Sequence, residues 1–278
     1  MCESIADIAL SFIESGRARL PVFHQASTRA QQMLAQGRVE PEELEALVAN
    51  EPALASALLR AANSSLYGGL ERAVSIRDCL RRLGSRKCAQ LVVAVGQRDA
   101  YRMREPLLQA MAERLWRHSL ACALGADWLV RRLRLPALEP AAMLAGLLHD
   151  IGKLFLLGVL DDMLAARPGE FETGDGLVLE VLTALHGVQG ARLLDAWQVP
   201  DPYRRIALHH HDESVPESDS LMLLVRLVDA VCNRLGVGLG AASDELPAAS
   251  MEAQALRASE VLLAELEIAI EDALQIGS

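Results

Sequence analysis

The 278-residue sequence has few of the residues that build β-sheets. Aromatic residues make up 4% of the chain, and threonine occurs three times. Because strands favour β-branched and aromatic side chains, this composition disfavours a β-sandwich or a β-barrel. Hydrophobic residues reach 51%, which is enough for a large core, and alanine and leucine recur throughout the chain. The composition therefore predicts an all-α fold.

Paired cysteines and an excess of positive charge are also absent. The five cysteines form no CxxC pair and lie at Cys2, Cys79, Cys88, Cys122 and Cys232. Their odd number and wide spacing argue against a disulfide framework and a thiolate zinc site, and predict reduced thiols in a cytoplasm. The 27 basic and 37 acidic residues give a formal net charge of −10. Such a surface disfavours binding to nucleic acid or to anionic lipid.

Targeting and membrane segments are not apparent in the sequence. The first residues, MCESIADIAL, contain acids where a signal peptide has a basic region. The most apolar stretch, residues 141–160, is interrupted by His149, Asp150 and Lys153, which a bilayer tolerates poorly. We therefore expect a soluble cytoplasmic protein without a membrane partner.

Helical periodicity divides the chain into four predicted parts. These are an N-terminal helix at 1–16, a helical lobe at 17–100, a second helical lobe at 101–235, and a linker with a C-terminal helix at 236–278. The run at 91–95 would suit a buried strand, but its helical neighbours favour a helix. Later helices are predicted at 106–134 and 138–149, then after glycine-rich turns at Gly174 and Gly176 to about 187, and at 189–197, 201–211, 219–235 and about 250–274.

Six of the seven histidines follow residue 117, and two notable carboxylates accompany them. The set comprises His118, His149, His186, His209, His210, His211, Asp150 and Asp229. Imidazole and carboxylate groups form a donor set that suits Fe, Mn or Zn, or Mg with more water. Helices of a bundle can bring such donors to one point in the core. This constellation therefore suggests a buried metal site.

Ordinary explanations compete with the metal site. A single histidine is more often a hydrogen-bonded core or surface residue, and Asp229 could pair with Arg226 or Arg234. At most two of the three consecutive histidines can face one direction on a helix.

Five basic residues fall within eleven positions, at Arg77, Arg81, Arg82, Arg86 and Lys87. A nucleic-acid surface is one interpretation of this cluster. A solvated helix face, offset by acids elsewhere, is the favoured one, so we do not expect nucleic acid as a partner.

Several linked motifs resemble a known family. The first lobe contains LP at 20–21, EPALASALLRAANSSLYG at 51–68 and VSIRDCLRRLG at 74–84. The second contains WRHS at 116–119, AGLLHDIGKL at 145–154, HGVQGARLLDAWQVP at 186–200 and the three histidines. The segment LLHDIGK at 147–153 resembles the HD motif of the metal-dependent phosphohydrolase superfamily. The whole set, over about residues 17–235, more closely resembles the HDOD family (HD-related output domains) of bacterial signalling proteins.

The resemblance implies a two-lobed, all-α protein in which an N-terminal helical lobe packs on an HD-like helical bundle. It also implies metal ligands at every position of the superfamily pattern: His118, His149, Asp150, His186, His209, His210 and Asp229. They would hold one divalent ion or a binuclear pair of Fe, Mn, Zn or Mg; a site that holds no metal is the other alternative. Lys153 matches the lysine that contacts phosphate or assists the bound water in active relatives, and would be catalytic only in an enzyme.

Two functions follow from the resemblance. The favoured one is a regulatory output domain for signal transduction, of the kind found in response regulators, acting through signalling proteins. In that case the tail helix either completes the core or forms a homodimer. The alternative is a metal-dependent phosphohydrolase. The sequence DESVP at 212–216 replaces the Gly-Tyr-Pro signature of related cyclic di-GMP phosphodiesterases, which disfavours hydrolysis of cyclic di-GMP. Glu51 stands where the family usually has aspartate, a mild departure.

Overall fold

The computed structural model describes residues 4–276, except residues 22–24, 50, 69–70, 168–173 and 200. Within these residues the chain forms helices and no strand, which confirms the all-α prediction. The first helices are α1 (Ile5–Glu14), α2 (Gln25–Ala35), α3 (Pro41–Ala49), α4 (Pro52–Asn63), α5 (Ile76–Leu83) and α6 (Ser85–Gly96). The next are α7 (Pro106–Arg132), α8 (Glu139–Leu148), α9 (Ile151–Ala166), α10 (Asp175–Ala196), α11 (Asp201–His209) and α12 (Ser220–Arg234). Two more helices, α13 (Met251–Leu256) and α14 (Glu260–Ile276), complete the fold, and short 3₁₀ turns lie at Arg98–Tyr101 and Pro247–Ala249. Here the first lobe denotes α2–α6 and the second lobe α7–α12.

Local sequence signals explain several helix boundaries. The Ser75 hydroxyl accepts a bond from the Asp78 amide at 3.1 Å, and the Asp78 carboxylate accepts one from the Ser75 amide at 3.0 Å. This capping box satisfies amides at the start of α5 that have no partner within the helix. Gly84 ends α5 with a φ of +80°, a conformation that glycine adopts without strain. The run at 91–95 lies in α6, as predicted.

The glycines of the second lobe bring helices together. The prediction of separate helices ending near 187 and starting at 189 is wrong, because α10 continues through both Gly187 and Gly190. A Cβ atom added at Gly152 would lie 1.9 Å from the main-chain oxygen of His186. One added at Gly187 would lie 3.0 Å from the main-chain oxygen of Leu208. These glycines therefore allow close approach of α9, α10 and α11 and do not end a helix.

The C-terminal tail contains two helices where one, over 250–274, was predicted. Arg257 adopts a left-handed conformation with a φ of +54°, which ends α13. The Ser259 hydroxyl then accepts a hydrogen bond from the Leu262 amide at 3.2 Å and starts α14. Packing of α14 against α7, α12 and α4 provides the tertiary contacts for this arrangement.

Helix α7 connects the two lobes. It packs against α8, α9, α12 and α14, and also contacts α6 of the first lobe. The fully buried carboxylate of Asp127 on α7 pairs with Lys87 of α6 and, at 3.0 Å, with Arg131. The Tyr67 hydroxyl donates to the same carboxylate at 3.2 Å. A buried ionic network therefore joins the first lobe to α7. Helix α1 instead packs on α9 and α10 of the second lobe.

Two helical stretches are long and apolar enough to cross a bilayer by length and composition alone, Glu139–Ala166 and Asp175–Ala196. Their most apolar windows are 83% and 50% buried inside the protein. Buried core helices pass the same test, so these stretches are weak evidence for a membrane span. The four cysteines within the described residues form no disulfide, and Cys2 lies outside those residues.

Candidate metal centre

Five structural elements bring histidines and aspartates to one buried point in the second lobe. His118 comes from α7, His186 from α10 and Asp229 from α12. His149 and Asp150 occupy the short break between α8 and α9, and His210 directly follows α11. The four histidines and Asp150 are each at most 6% exposed, and the Asp229 side chain is 15% exposed. Residues up to 111 positions apart in the sequence thus share one site.

The donor atoms form two adjacent groups. The first contains His118, Cys122, His149 and Asp229, and the second contains Asp150, His186, His210 and His211. Within each group, one candidate ligand atom per residue lies within 4.8 Å of all the others. In the first group, His118 Nε2 lies 3.3 Å from His149 Nε2 and 3.2 Å from Asp229 Oδ1.

The Asp150 carboxylate faces both groups. Its Oδ2 lies 3.5 Å from the Nε2 atoms of His118 and His149. Its Oδ1 lies 3.4 Å from His210 Nε2 and 3.8 Å from His186 Nε2. Asp150 could therefore contribute a carboxylate oxygen to a cation in either group.

Main-chain carbonyls orient all four buried imidazoles. The Nδ1 atoms of His118 and His149 each lie 2.8 Å from a carbonyl oxygen, of Val237 and Gly146 respectively. Those of His186 and His210 lie 2.7 and 2.9 Å from the carbonyls one helical turn earlier. Each Nδ1 must donate a proton to its carbonyl, which leaves Nε2 as the ring nitrogen directed into the cluster. Metal-binding histidines are held in this way, with the second nitrogen bonded to an outer partner.

Several buried polar atoms of the cluster lack a hydrogen-bond partner. Among the described residues, Asp150 Oδ1, His186 Nε2 and His210 Nε2 have none. Such atoms are rare in folded proteins because each one loses its interaction with water. Three imidazole or carboxylate atoms, converging without protein partners, match the donor preferences of Fe, Mn or Zn. The residues present therefore fit a divalent metal.

The charges of the cluster differ from those of the free side chains. Burial lowers the pKa of His149 to about 3, so this imidazole is neutral. Burial alone would raise the pKa of Asp150, but Lys153 and His149 lower it well below the usual value. Burial also opposes charge on His118, yet its hydrogen bond to Asp229 and the charge of that carboxylate raise its pKa to about 9. Despite burial, the same contact lowers the pKa of Asp229.

The profile of the HDOD domain family matches residues 20–213, which is well over half of the chain. The chain belongs to the HDOD family. Over 185 residues this HDOD protein is 25% identical to an uncharacterized protein of Treponema pallidum, covering 64% of the chain and 35% of that protein. Over 109 residues it is 40% identical to a cyclic di-GMP phosphodiesterase of Pseudomonas aeruginosa, covering 38% of this chain and 24% of that protein. The chain thus matches about a third or less of the length of these relatives.

Solved structures share the fold of this HDOD protein over nearly its whole length. A candidate metal-dependent phosphohydrolase of Shewanella amazonensis SB2B is similar with a TM-score of 0.76 and 16% identity, over 99% of this chain and 98% of that one. An HDOD domain protein with unknown function from Geobacter sulfurreducens is similar with a TM-score of 0.72 and 23% identity, over 97% of this chain and 96% of that one. A candidate signal transduction protein of Marinobacter aquaeolei VT8 gives 0.61 and 21%, over 100% of this chain and 61% of that one. At these identities the likeness shows the fold.

The HDOD cluster contains six of the seven predicted ligands; whether they bind metal stays a prediction. The exception is His209, whose half-exposed imidazole lies 2.9 Å from the Asp212 carboxylate. Helix α11 ends at His209, so the next residue, His210, is the one that turns inward. The exposed ring of His211 packs against those of His210 and His186.

The cluster also corrects two details of the sequence analysis. Cys122, which was not proposed as a ligand, has its Sγ 3.6 Å from His118 Nε2. Its position four residues after His118, on the same face of α7, was the available sequence signal. Asp229 pairs with neither of the proposed arginines, because Arg226 binds Glu252 and Arg234 binds Glu267.

Lys153 lies beside the cluster in this HDOD protein. Its Nζ is 2.7 Å from Asp150 Oδ2, and its side chain is 20% exposed. Burial opposes the charge, but Asp150 raises the pKa of the ammonium. Lys153 is thus a cation at the edge of the cluster, whereas burial lowers the pKa of the neighbouring His211 to about 4 and keeps that imidazole neutral near pH 7.

Proposed function

We propose that this HDOD protein is a cytoplasmic signalling output domain that binds divalent metal in its second lobe and acts through protein partners. The observation that supports it most is the set of four buried imidazoles, each anchored through Nδ1 with its Nε2 directed at a shared carboxylate. Anchoring of this kind serves ligation whether or not a substrate is turned over. Membership of the HDOD family and similarity to the candidate signal transduction protein of Marinobacter aquaeolei VT8 support the output role.

The proposed metal ligands follow the two groups. His118, His149 and Asp229 would hold one ion, and His186 with His210 would hold a second, with Asp150 between them. When bound, a metal in this site would lower the pKa of a coordinated water and polarise a phosphoryl oxygen. The ligand side chains are nearly inaccessible, at most 6% exposed for Asp150 and the four histidines. That burial favours a structural or sensing role for the metal over hydrolysis of a large substrate.

The first test measures metal bound to the full chain purified without chelator. We expect one to two equivalents of Fe, Mn or Zn by elemental analysis. His210→Ala should lower this content, whereas His209→Ala, one residue earlier and outside the cluster, should leave it unchanged. A wild-type protein that is free of metal and binds none of these ions when they are added would refute the metal centre.

The output role needs a separate test. A variant with His149→Ala and Asp150→Ala should retain crosslinking to its signalling partners in cells while losing metal. Circular dichroism and thermal melts must show that the variant remains folded. If a folded variant of wild-type stability no longer forms the crosslinked complexes, partner binding requires the metal cluster, and this part of the proposal fails.

A metal-dependent phosphohydrolase is the second candidate. The specific observation that favours it is the Lys153 ammonium, 2.7 Å from Asp150 in a cluster that contains six of the seven predicted ligands. This ammonium would stabilise charge that develops on a phosphoryl group. Bis(p-nitrophenyl) phosphate and cyclic di-GMP are suitable probes, since one relative is a cyclic di-GMP phosphodiesterase. Turnover with added Mn or Fe that disappears in Lys153→Met would establish the enzyme; inert wild-type protein that carries metal would exclude it for these substrates.

A further inference from the structure

A large cavity separates the first lobe from the second, away from the metal centre. Its volume is about 610 Å³, and α2, α6, α8 and the segment between α10 and α11 form its walls. Small-molecule sites in proteins have volumes of about 300–1,000 Å³ and often lie between domains. The cavity therefore has the size and position of a ligand site, and neither the metal centre nor the output role uses it.

The cavity wall is rich in amides. Five glutamines line it, namely Gln31, Gln32, Gln90, Gln97 and Gln198. A primary amide carries two N–H donors and a carbonyl acceptor, a combination that matches the edges of heterocyclic bases. Gln90 already donates to the Pro140 carbonyl and Gln32 accepts from Arg29, so these two have only their remaining groups for a ligand. Trp197 and Tyr203 also line the cavity, and aromatic rings of this kind stack on planar ligands.

Gln97 supplies an independent indication of a ligand. This side chain is 3% exposed, and its Oε1 has no hydrogen-bond partner among the described residues. It follows α6 directly and lines the cavity. A buried amide oxygen without a partner is uncommon, since its desolvation is not compensated. A donor on a ligand in the cavity would satisfy it.

Arg86 gives the cavity its charge. The other members of the basic cluster are engaged within the protein: Arg77 with Glu45, Arg81 with Asp78, Arg82 with the Ala62 carbonyl, and Lys87 with Asp127. Arg86 is exposed, lines the cavity and forms no ion pair with another described residue. The described lining residues include no carboxylate. In a protein of net charge −10, Arg86 therefore gives this cavity a local positive charge.

We propose that this cavity binds a mononucleotide, with the base among the glutamines and aromatic rings and the phosphate at Arg86. An arginine guanidinium at the opening binds phosphate through paired, charge-assisted hydrogen bonds. The neutral interior accepts a planar base, which carries both donors and acceptors. A single cation matches one phosphate group better than a polyphosphate.

The test titrates the full chain, as purified, with the 5′-monophosphates of adenosine, guanosine, cytidine and uridine, the matching nucleosides, and inorganic phosphate. Calorimetry gives the stoichiometry, and the fluorescence of the three tryptophans reports on binding because one of them, Trp197, lines the cavity. We expect at least one monophosphate to bind once per chain at millimolar concentration or below, its nucleoside about tenfold more weakly, and phosphate not measurably. The same affinity should be found with EDTA present; a requirement for metal would assign the binding to the histidine cluster and overturn the proposal.

Variants locate the binding. Arg86→Gln should weaken the monophosphate at least tenfold and leave the nucleoside unchanged, whereas Gln97→Met should weaken both. Arg81→Gln, which removes the same charge from a residue paired with Asp78 on the surface, should change neither. The proposal is wrong if none of the four monophosphates binds, if Arg81→Gln weakens binding as much as Arg86→Gln, or if folded Arg86→Gln binds like the wild type.

Discussion

Metal binding to the cluster should release a proton from His118. This imidazole has its Nε2 3.2 Å from Asp229 Oδ1, and despite burial that carboxylate raises its pKa to about 9. In metal-free protein at pH 7, the proton therefore occupies the nitrogen that a metal ion requires. His149 contributes no proton, because burial lowers its pKa to about 3. Ligands must be deprotonated before they bind a metal, so His118 makes metal affinity depend on pH.

The size of the pH effect on metal affinity follows from the difference between the pKa of His118 and pH 7. With a pKa of about 9, displacing the proton at pH 7 weakens metal binding by about 100-fold, or about 2.7 kcal/mol, relative to a deprotonated site. The apparent affinity should rise about tenfold between pH 7 and pH 8 and level off above pH 9. Close to one proton from His118 should be released per chain at pH 7 when the site that contains His118 is filled.

Calorimetric titration of metal-free protein with Zn²⁺ or Mn²⁺, in buffers of different ionisation enthalpy, counts the protons released. Asp229→Asn removes the carboxylate that raises the pKa, so it should reduce the proton release at pH 7. The control, His209→Gln, alters an imidazole outside the cluster and should match wild type. An affinity independent of pH between 6 and 9, with no proton released, would refute the reasoning.

Three further predictions concern stability. Gly152→Ala should lower the melting temperature sharply or prevent folding, because its Cβ would lie 1.9 Å from a main-chain oxygen of α10. The control is Gly158→Ala in the same helix, where the added Cβ meets open space; it should be neutral or stabilise the protein by up to about 1 kcal/mol. Asp127→Ala should reduce the free energy of unfolding by about 3–5 kcal/mol in urea denaturation, since it removes a fully buried carboxylate and leaves the Lys87 ammonium, 12% exposed, without this partner; a loss below 1 kcal/mol would contradict this. Acidification below about pH 6.5 should destabilise metal-free protein progressively toward pH 3, because the unfolded chain takes up a proton that buried His149 does not accept until its pKa of about 3; a flat denaturation series over this range would count against it.

The sequence predicts where a helix begins better than where it ends. Capping residues and first-turn prolines act locally, so the starts of α4, α5 and α7 can be read from adjacent residues. Glycine is ambiguous, because it either ends a helix or allows another backbone to approach. Gly187 and Gly190 do the second, and only the position of the partner helix distinguishes the two cases.

The site was predictable in composition and less so in detail. Apart from His209, the histidines and aspartates that the motif resemblance identified each lie within about 4 Å of at least one other member of the cluster. Which consecutive histidine turns inward depends on where α11 ends, and a helix boundary is uncertain by one or two residues in any sequence pattern. Cys122 was missed because a lone cysteine among apolar residues is usually an inert core residue.

Helix α8 is shared between two sites that have no ligand atom in common. Leu144 and Leu148 form part of the wall of the inter-lobe cavity, and the next residue, His149, belongs to the metal cluster. A molecule that fills the cavity and moves this helix would therefore change how tightly the cluster holds an ion. Thermodynamic reciprocity then requires the ion to change the affinity for that molecule by the same factor. One rigid segment would thus provide the physical basis for allosteric coupling between the proposed nucleotide and the proposed metal ion.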